Sequence, residues 1–218
     1  MIKNNMYSTL RWKLFFIFVW VLLVFYPNPM RVGETFFRVF NPPVAPEVIS
    51  DHVLEEMRDL DNGEIERFVL DYIPYQYDWQ TFNLPWYYPR VEEVLANRTG
   101  DCKSRMILLA SIFEALGRDY ELRYSINHFW VHYDGKDEGY IERDDVFLFS
   151  EEEGFQIPDF QWDVTYRSYN NFMELMPFSK KVFFFLGFFV AWWMEVSTNN
   201  FTWQNLKTSR LNFEISVK

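Results

Sequence analysis

One helical segment that is apolar on nearly every side constrains this fold more than any other part of the sequence. The apolar residues between Cys102 and Leu116 form no single stripe: they are Met106, Ile107, Leu108, Leu109, Ala110, Ile112, Phe113, Ala115 and Leu116. Such a helix has to be enclosed by other elements, because no face of it suits contact with water. We therefore predict a buried central helix that begins at Cys102 and is stopped by Gly117.

The periodicity of the chain changes after this segment. The stretches before it have helical spacing, and we predict helices in three places: Ile49 to Leu60, Ile65 to Tyr72, and Pro89 to Asn97. The stretches after it are aromatic, β-branched and alternating, and we predict strands in three places: Tyr120 to Ile126, His128 to Tyr133, and Gly139 to Asp144. Helices followed by antiparallel strands predict an α+β domain in which the central helix packs on an antiparallel sheet.

Composition limits the classes of function. The chain has 218 residues, a net charge of −10 and a single cysteine. Its length suits one compact domain with attachments. No nucleic-acid partner is expected, because the sequence has no clustered Lys and Arg to replace the counterions of phosphates. One cysteine excludes an internal disulfide and leaves the redox compartment open.

Two uncharged apolar runs, Leu14–Tyr26 and Val182–Met194, flank the predicted domain. Each spans only about 20 Å as a helix, less than the roughly 30 Å hydrocarbon core, so a core or interfacial helix is the alternative to a membrane span. The first run has a basic leader but no small-residue cleavage site, which favours an uncleaved anchor. We expect membrane lipid to be a partner, and the distribution of Lys and Arg weakly favours a domain outside the cytoplasm.

The expected organisation follows from these runs. It comprises a basic tail (1–13), a transmembrane or anchor helix (14–30), a Pro-rich linker (31–46), the α+β domain (47–170), a second transmembrane or interfacial helix (178–196) and a C-terminal tail (197–218).

Cys102 is the first candidate nucleophile. A cysteine at a helix N-terminus favours the thiolate, because unpaired backbone N–H groups and the helix dipole stabilise negative charge there. Lys103 and Arg105 in the same turn would add to this effect. The alternative is that Cys102 is a small buried residue of the core, as many free cysteines are.

A base and an acid follow on the predicted strands. His128, Trp130 and His132 share one strand face, and Tyr140, Glu142 and Asp144 share a face of the next strand. A histidine and its orienting carboxylate can then be cross-strand neighbours. Together with Cys102, this pattern predicts a nucleophile, a general acid/base and an orienting group.

The ordered motifs Gly100-Asp-Cys102-Lys-Ser, His128-x-Trp130 and Tyr140-Ile-Glu-Arg-Asp144 resemble the core of the transglutaminase-like superfamily of papain-like thiol enzymes. The resemblance covers roughly residues 64 to 146. It implies that Cys102 is the nucleophile, His128 the acid/base and Asp144 the orienting carboxylate. Tyr140 stands where the family commonly has Trp and Asp145 follows Asp144, which leaves Glu142 or Asp145 as alternatives for the carboxylate.

The chemistry implied by this resemblance is attack on a peptide or carboxamide carbonyl to give an acyl-thioester, followed by water or an amine. Three residues of the aromatic loop, Trp79, Gln80 and Trp86, together with Trp130, are the candidate substrate-binding residues. The Cys102 N–H would be one oxyanion donor, with Trp79, Gln80 or Trp86 as a possible second. No cofactor is expected. No metal site is expected either, because the rings of His128 and His132 would lie about 13 Å apart on a strand.

Two classes of function remain open. The favoured one is a membrane-anchored thiol enzyme, a cysteine peptidase or amide hydrolase before a protein-crosslinking acyl transferase, whose substrate is a protein or peptide. The alternative is a catalytically inactive domain of the same fold that serves as a membrane-tethered binding or assembly module, because a fold can persist without its chemistry.

Overall fold

The fold is described from a computed structural model that covers residues 2–137, 139–143, 145–150 and 154–193, with side chains from Arg11 onward. These residues divide into two compact units. The two-helix unit is formed by 2–29 and 177–193. The α+β unit is formed by the described residues of 30–176.

The helices are α1 Ile2–Phe25, α2 Met30–Phe40, α3 Asp51–Met57, α4 Asn62–Tyr72, α5 Asp78–Thr81, α6 Val91–Asn97, α7 Cys102–Leu116, α8 Trp162–Leu175 and α9 Phe178–Trp193. The strands are β1 Glu121–Tyr124, β2 Phe129–His132, β3 Phe149–Ser150 and β4 Gly154–Phe155. The mixture of helices with one antiparallel sheet confirms the predicted α+β class. It also includes α2 and α8, which the sequence analysis did not predict.

Helix α7 is the central element of the α+β unit. It packs against β2, α4 and α6, and every residue from Met106 to Phe113 is buried. Its start at Cys102 and its end at Leu116 confirm the prediction, and Gly117 closes it with a φ of 65°. A left-handed φ carries no steric penalty for glycine, so the sequence ends the helix where its apolar run ends.

The four strands form one sheet in the order β2-β1-β3-β4, with antiparallel pairs throughout. Strands β1 and β2 lie within the predicted segments Tyr120 to Ile126 and His128 to Tyr133, and they pair as an antiparallel hairpin in which Arg123 lies opposite Trp130. The prediction of a strand over Gly139–Asp144 is wrong for its described residues, because 139–143 form turns and bends. The second antiparallel partner of β1 is β3, and the rings of Tyr124 and Phe149 lie 5.9 Å apart where these two strands pair. Burial of aromatic side chains there outweighs the weak alternation of a short polar segment.

The segment 31–46, expected to be a linker, contains α2 and then a stretch without regular secondary structure over 41–45. Arg38 of α2 is buried and donates hydrogen bonds to the Tyr88 carbonyl at 2.8 Å and the Tyr87 hydroxyl at 3.0 Å. The Ala45 amide donates to Ser111 Oγ at 3.0 Å. Both ends of this segment are therefore attached to the α+β unit, which begins before Glu47.

The two-helix unit consists of α1 and α9. Trp20 Nε1 donates to the Phe183 carbonyl at 2.8 Å, and the rings of Phe25 and Phe184 stack at 5.5 Å. A Cβ atom on Gly187 would lie 2.1 Å from Trp20 Cδ1, so only glycine allows this approach. Among the described residues no single helix meets the length and hydropathy expected of a membrane span; Arg11–Phe25 with Met30–Phe40, and Trp162–Leu175 with Phe178–Trp193, do so only as pairs.

Candidate active site

The turn before α7 fixes the position of Cys102. The Gln76 amide donates to the Gly100 carbonyl at 2.9 Å, and the Gly100 amide donates to the Pro74 carbonyl at 3.3 Å. A Cβ atom on Gly100 would lie 2.2 Å from Ser104 Oγ. The Gly-Asp-Cys sequence therefore needs its glycine for close approach of the backbone to the first turn of α7.

Asp101 caps α7 by accepting hydrogen bonds from the amides of Lys103 at 3.0 Å and Ser104 at 3.4 Å. This arrangement uses two of the N–H groups that a helix leaves unpaired at its start. Cys102 follows at the first helical position, and its side chain is nearly buried at 8% exposure.

Lys103 does not face solvent beside the thiol. Its ammonium is buried between the carboxylates of Asp101 and Asp78, with an Nζ to Oδ2 distance of 3.0 Å to Asp78. Burial lowers the pKa of Lys103, but these two carboxylates, and to a smaller extent Cys102, raise it above its usual range. The cation that was expected to stabilise the Cys102 thiolate therefore serves mainly to balance two buried carboxylates.

Arg105, the other basic residue of this turn, is also engaged. Its guanidinium donates to the Ile73 carbonyl at 2.9 Å and lies 5.3 Å from the centre of the Tyr75 ring. Burial is the main cause that lowers its pKa. Arg105 thus holds the Ile73–Tyr75 segment beside the start of α7.

His128 lies at the turn between β1 and β2. Its amide donates to Ser125 Oγ at 2.9 Å, while the Ser125 amide donates to the His128 carbonyl at 2.8 Å. The His128 ring stacks on Trp130 with centroids 5.8 Å apart, as expected for two residues on one strand face. The backbone and the ring of His128 are both held.

The carboxylate of Glu142 lies against His128, with 2.7 Å between Nε2 and Oε1. Because Nε2 is engaged, Nδ1 is the ring nitrogen left for Cys102. Burial lowers the pKa of His128, but hydrogen bonds to Cys102 and Glu142 outweigh it and raise that pKa to about 9. The protonated imidazole is therefore favoured near neutral pH.

Glu142 is held from its other side by a buried lysine. Its Oε2 lies 3.2 Å from Lys136 Nζ, and the same ammonium lies 2.5 Å from Glu66 Oε1 on α4. Burial raises the pKa of Glu142, yet the hydrogen bond from His128 and the charge of Lys136 bring it below its usual range. An ionised carboxylate thus faces the imidazole.

The orienting position beside His128 is occupied by Glu142, one of the two alternatives to Asp144. Asp144 itself lies outside the described residues. The other alternative, Asp145, is exposed and pairs with Arg143 at 3.0 Å. Among the described carboxylates, Glu142 is the one that contacts the imidazole.

Cys102, His128 and Glu142 line a common cleft of about 400 Å³. Of the four candidate substrate-binding residues, Trp130 lines this cleft, whereas Trp79, Gln80 and Trp86 are not among its described lining residues. Trp79 packs on Phe172 with ring centroids 5.3 Å apart, and Gln80 Oε1 accepts from the Tyr77 amide at 3.3 Å. Trp86 contacts Phe36 edge to face. Trp79 and Trp86 therefore contribute packing. The aromatic side chain that lines the cleft from this part of the chain is Tyr75.

Sequence reasoning missed four residues around this site: Glu66, Tyr75, Arg105 as a packing residue, and Lys136. Tyr75 follows a helix end and pairs with Gly100, so its neighbour in space is 25 residues away in sequence. The contact between Glu66 and Lys136 spans 70 residues. No periodicity or short motif reports such distant pairs.

The arrangement suits nucleophilic chemistry at a carbonyl. A thiol at a helix start, an imidazole and a carboxylate follow one another as in a nucleophile, base and orienter. Within the described parts of the chain, no cluster of three or more His, Cys, Asp or Glu residues is arranged to hold a metal ion. No protein-family model matches this chain, and no curated protein matches it significantly.

Proposed function

We propose that this protein is a membrane-anchored thiol enzyme with a transglutaminase-like core that acts on peptide or carboxamide bonds. The observation that carries the proposal is the row of Cys102, His128 and Glu142 along one cleft, with 2.7 Å between His128 Nε2 and Glu142 Oε1. Hydrolysis is the first reaction proposed, and acyl transfer to an amine is the second.

In the first step the Cys102 thiolate attacks the carbonyl carbon and forms a C–S bond. His128, protonated, gives its proton to the departing amine as the C–N bond breaks, which leaves an acyl-thioester. In the second step His128 takes a proton from water, or from an acceptor amine. The attacking oxygen or nitrogen then expels the thiolate and releases an acid or a new amide.

Glu142 takes the orienting role in this proposal instead of Asp144. Its ionised carboxylate holds the ring so that Nδ1 faces Cys102, and it stabilises the imidazolium before the proton is given up. The backbone N–H of Cys102, in the first turn of α7, is the proposed donor to the developing oxyanion.

The proposed membrane attachment rests on α1 and α9, whose exposed large side chains are mostly apolar. These include Phe15, Phe18, Leu23, Phe183, Phe185, Phe189 and Trp192. The transfer of helices with such surfaces from water to an apolar phase is favourable. We propose that they embed in lipid and that the α+β unit lies outside the cytoplasm.

One observation favours the alternative, a transglutaminase-like domain that binds without turnover. Cys102 is only 8% exposed, and a nearly buried thiol is also what a structural cysteine presents. The decisive measurement is therefore the reactivity of this thiol.

The test uses the detergent-solubilised full chain and two probes. Iodoacetamide reports thiolate formation through its alkylation rate between pH 5 and 9. p-Nitrophenyl acetate reports acylation through a burst of p-nitrophenolate and an acetyl group on Cys102. An enzyme gives rapid alkylation at pH 6 and a burst, and both are lost in Cys102→Ser.

The matched control is His132, the last residue of β2, four residues after His128. His128→Ala should slow alkylation at pH 6 by about a hundredfold, the order that a positioned acid/base contributes, while His132→Ala should leave it within twofold. An ordinary alkylation profile without a burst in the parent protein would overturn the enzyme proposal and support the binding module. Labelling of intact cells with an impermeant thiol reagent tests the side of the membrane, since labelling only after permeabilisation contradicts an outside location.

A further inference from the structure

The orienting carboxylate of the site is carried by a turn rather than by a strand. Residues 139–143 have no strand pairing, and the Glu142 amide donates to the Gly139 carbonyl at 3.0 Å. A ladder of backbone hydrogen bonds therefore does not set the position of Glu142 relative to β2. Its side chain is fixed through its two oxygens, because Oε1 contacts His128 and Oε2 contacts Lys136.

Lys136 lies between two carboxylates from different parts of the chain. Its side chain is 2% exposed, and its ammonium is 2.5 Å from Glu66 Oε1 and 3.2 Å from Glu142 Oε2. Glu66 in turn accepts a hydrogen bond from the Tyr133 hydroxyl at 2.6 Å. Burying an ammonium so completely is costly unless its charge and its donors are matched, and these two carboxylates balance the charge and contact two of its three donors.

We propose that Lys136 is a positioning residue of the active site, which holds Glu142 against His128 by linking it to Glu66 on α4. This inference rests on the proposed function of the Cys102 and His128 pair. It goes beyond that function because it assigns the orientation of the imidazole to a buried cation outside the three reacting and orienting groups.

The physical reason lies in the charges that would remain without Lys136. Glu66 and Glu142 would face each other with no cation between them, and two close carboxylates repel. Glu142 belongs to a turn without strand pairing and Glu66 belongs to α4, so we expect Glu142 to be the one that moves away. His128 would then lose the contact at Nε2 that fixes which ring nitrogen faces Cys102.

The direction of the effect on His128 separates positioning from a simple charge effect. A nearby positive charge disfavours an imidazolium, so removing Lys136 while leaving Glu142 in place would raise the pKa of His128. Removing it with loss of the Glu142 contact lowers that pKa. The titratable groups that face His128 and Lys136 are Cys102 from α7, Glu66 from α4, and Tyr133 and Glu142 from the chain after β2.

The experiment is an NMR titration of the imidazole rings in the full-length, detergent-solubilised protein. The chain has three histidines, so His52 and His132 serve as internal references. The variants are Lys136→Met, Lys136→Arg, Glu142→Gln and the double variant Lys136→Met/Glu142→Gln. Thermal unfolding and iodoacetamide alkylation at pH 6 are measured on the same samples.

We expect Glu142→Gln to lower the pKa of His128 by about one unit. Alkylation of Cys102 at pH 6 should then be about tenfold slower. Lys136→Met should give a shift of the same sign and similar size. The double variant should have the same His128 pKa and alkylation rate as Glu142→Gln, because both substitutions remove the same contact between Glu142 and His128. Lys136→Arg should retain most of the parent behaviour, since the charge is kept.

Arg118→Met is the matched control for the loss of a cation with several contacts. Arg118 donates to the carbonyls of Arg58 and Leu60, each at 3.0 Å, so its loss should lower thermal stability and leave the His128 titration unchanged. A rise or no change of the His128 pKa in Lys136→Met would overturn the positioning role. If Lys136→Met does not fold, Glu66→Gln tests the same link. An inert Cys102 in the parent protein would instead contradict the proposed function itself.

Discussion

The two halves of the candidate site are held in different ways. The nucleophile segment, Gly100–Leu116, is fixed by the backbone and by apolar burial: Asp101 caps it, Gly117 ends it, and its middle is enclosed by the core. The imidazole network, formed by His128, Glu142, Lys136 and Glu66, is fixed by side-chain charges on a turn, a hairpin and α4.

This difference separates stability from reactivity. Apolar burial is not directional and supports the whole unit, so damage to the nucleophile segment should be seen mainly as unfolding. Charged hydrogen bonds are directional and depend on protonation, so damage to the imidazole network should be seen mainly in the chemistry and its pH dependence. Four measurements, ordered from the largest expected effect to the smallest, examine this contrast.

The largest effect is expected from Ile107→Ala in the nucleophile segment. Ile107 has 0% exposure, and truncation of a large aliphatic residue in a core costs about 2–5 kcal/mol of unfolding free energy. Urea denaturation followed by tryptophan fluorescence measures it. Glu114→Gln on the exposed face of the same helix is the control, with an expected change under about 0.5 kcal/mol. Equal losses in the two variants would contradict a buried α7.

The second effect is the loss of stability at alkaline pH that comes from the imidazole network. The His128 pKa is raised from 6.5 to about 9, so its contribution is complete below pH 6.5 and is lost as pH rises through 9. Each pKa unit corresponds to about 1.4 kcal/mol, so a rise of this size gives an expected decrease in unfolding free energy of at most about 3 kcal/mol. Urea denaturation at intervals from pH 6 to pH 9.5 measures it.

His128→Gln is the comparison for this pH dependence. It should remove most of the decrease between pH 6.5 and 9, while His132→Gln should retain it. If the unfolding free energies of the parent protein and of His128→Gln change in parallel with pH, the pKa of His128 is not raised by folding.

The third effect comes from Gly100→Ala, at the start of the nucleophile segment. The added Cβ would meet Ser104 Oγ at 2.2 Å, and overpacking of this kind costs about 1–3 kcal/mol. Ser104→Gly in the same chain should recover part of this loss by opening the space. Thermal unfolding of the single and double variants measures it, and additive losses would contradict a steric cause.

The smallest effect compares two serines that each accept a backbone N–H hydrogen bond. Ser125 Oγ accepts from the His128 amide at 2.9 Å, and Ser111 Oγ accepts from the Ala45 amide at 3.0 Å. Each substitution by Ala should cost about 1 kcal/mol of stability. Ser125→Ala should also slow Cys102 alkylation at pH 6, whereas Ser111→Ala should not. Equal alkylation rates would show that the hairpin turn does not position His128.

The elements that sequence analysis predicted best are those with local causes. The bounds of α7 follow from an apolar run, a capping Asp101 and a terminal Gly117, and all three are visible in the sequence. Strands β1 and β2 lie within segments that alternating aromatic and β-branched residues predicted to be strands. Helix α2 was missed because its buried Arg38 is stabilised by Tyr87 and Tyr88, which lie some fifty residues further along the chain.

The same distinction applies to the candidate site. Cys102 and His128 could be selected from their residue types and local context, and the structure brings both to one cleft. The choice of Asp144 over Glu142 rested on the family resemblance, because alternation placed both on one face of a strand that the described residues 139–143 do not form. In the structure a turn, not a strand, brings the Glu142 carboxylate to the imidazole.

By itself, the sequence determined a buried helix that starts at the single cysteine, an α+β class, and the order in which thiol, imidazole and acid occur along the chain. These properties depend on periodicity, capping and residue type, which act over a few residues. Only the tertiary structure decided that Lys103 balances Asp78 and Asp101, and that Glu142 joins His128 to Lys136. Ion pairs form between side chains that packing brings within a few ångströms, and separation along the chain does not encode that distance.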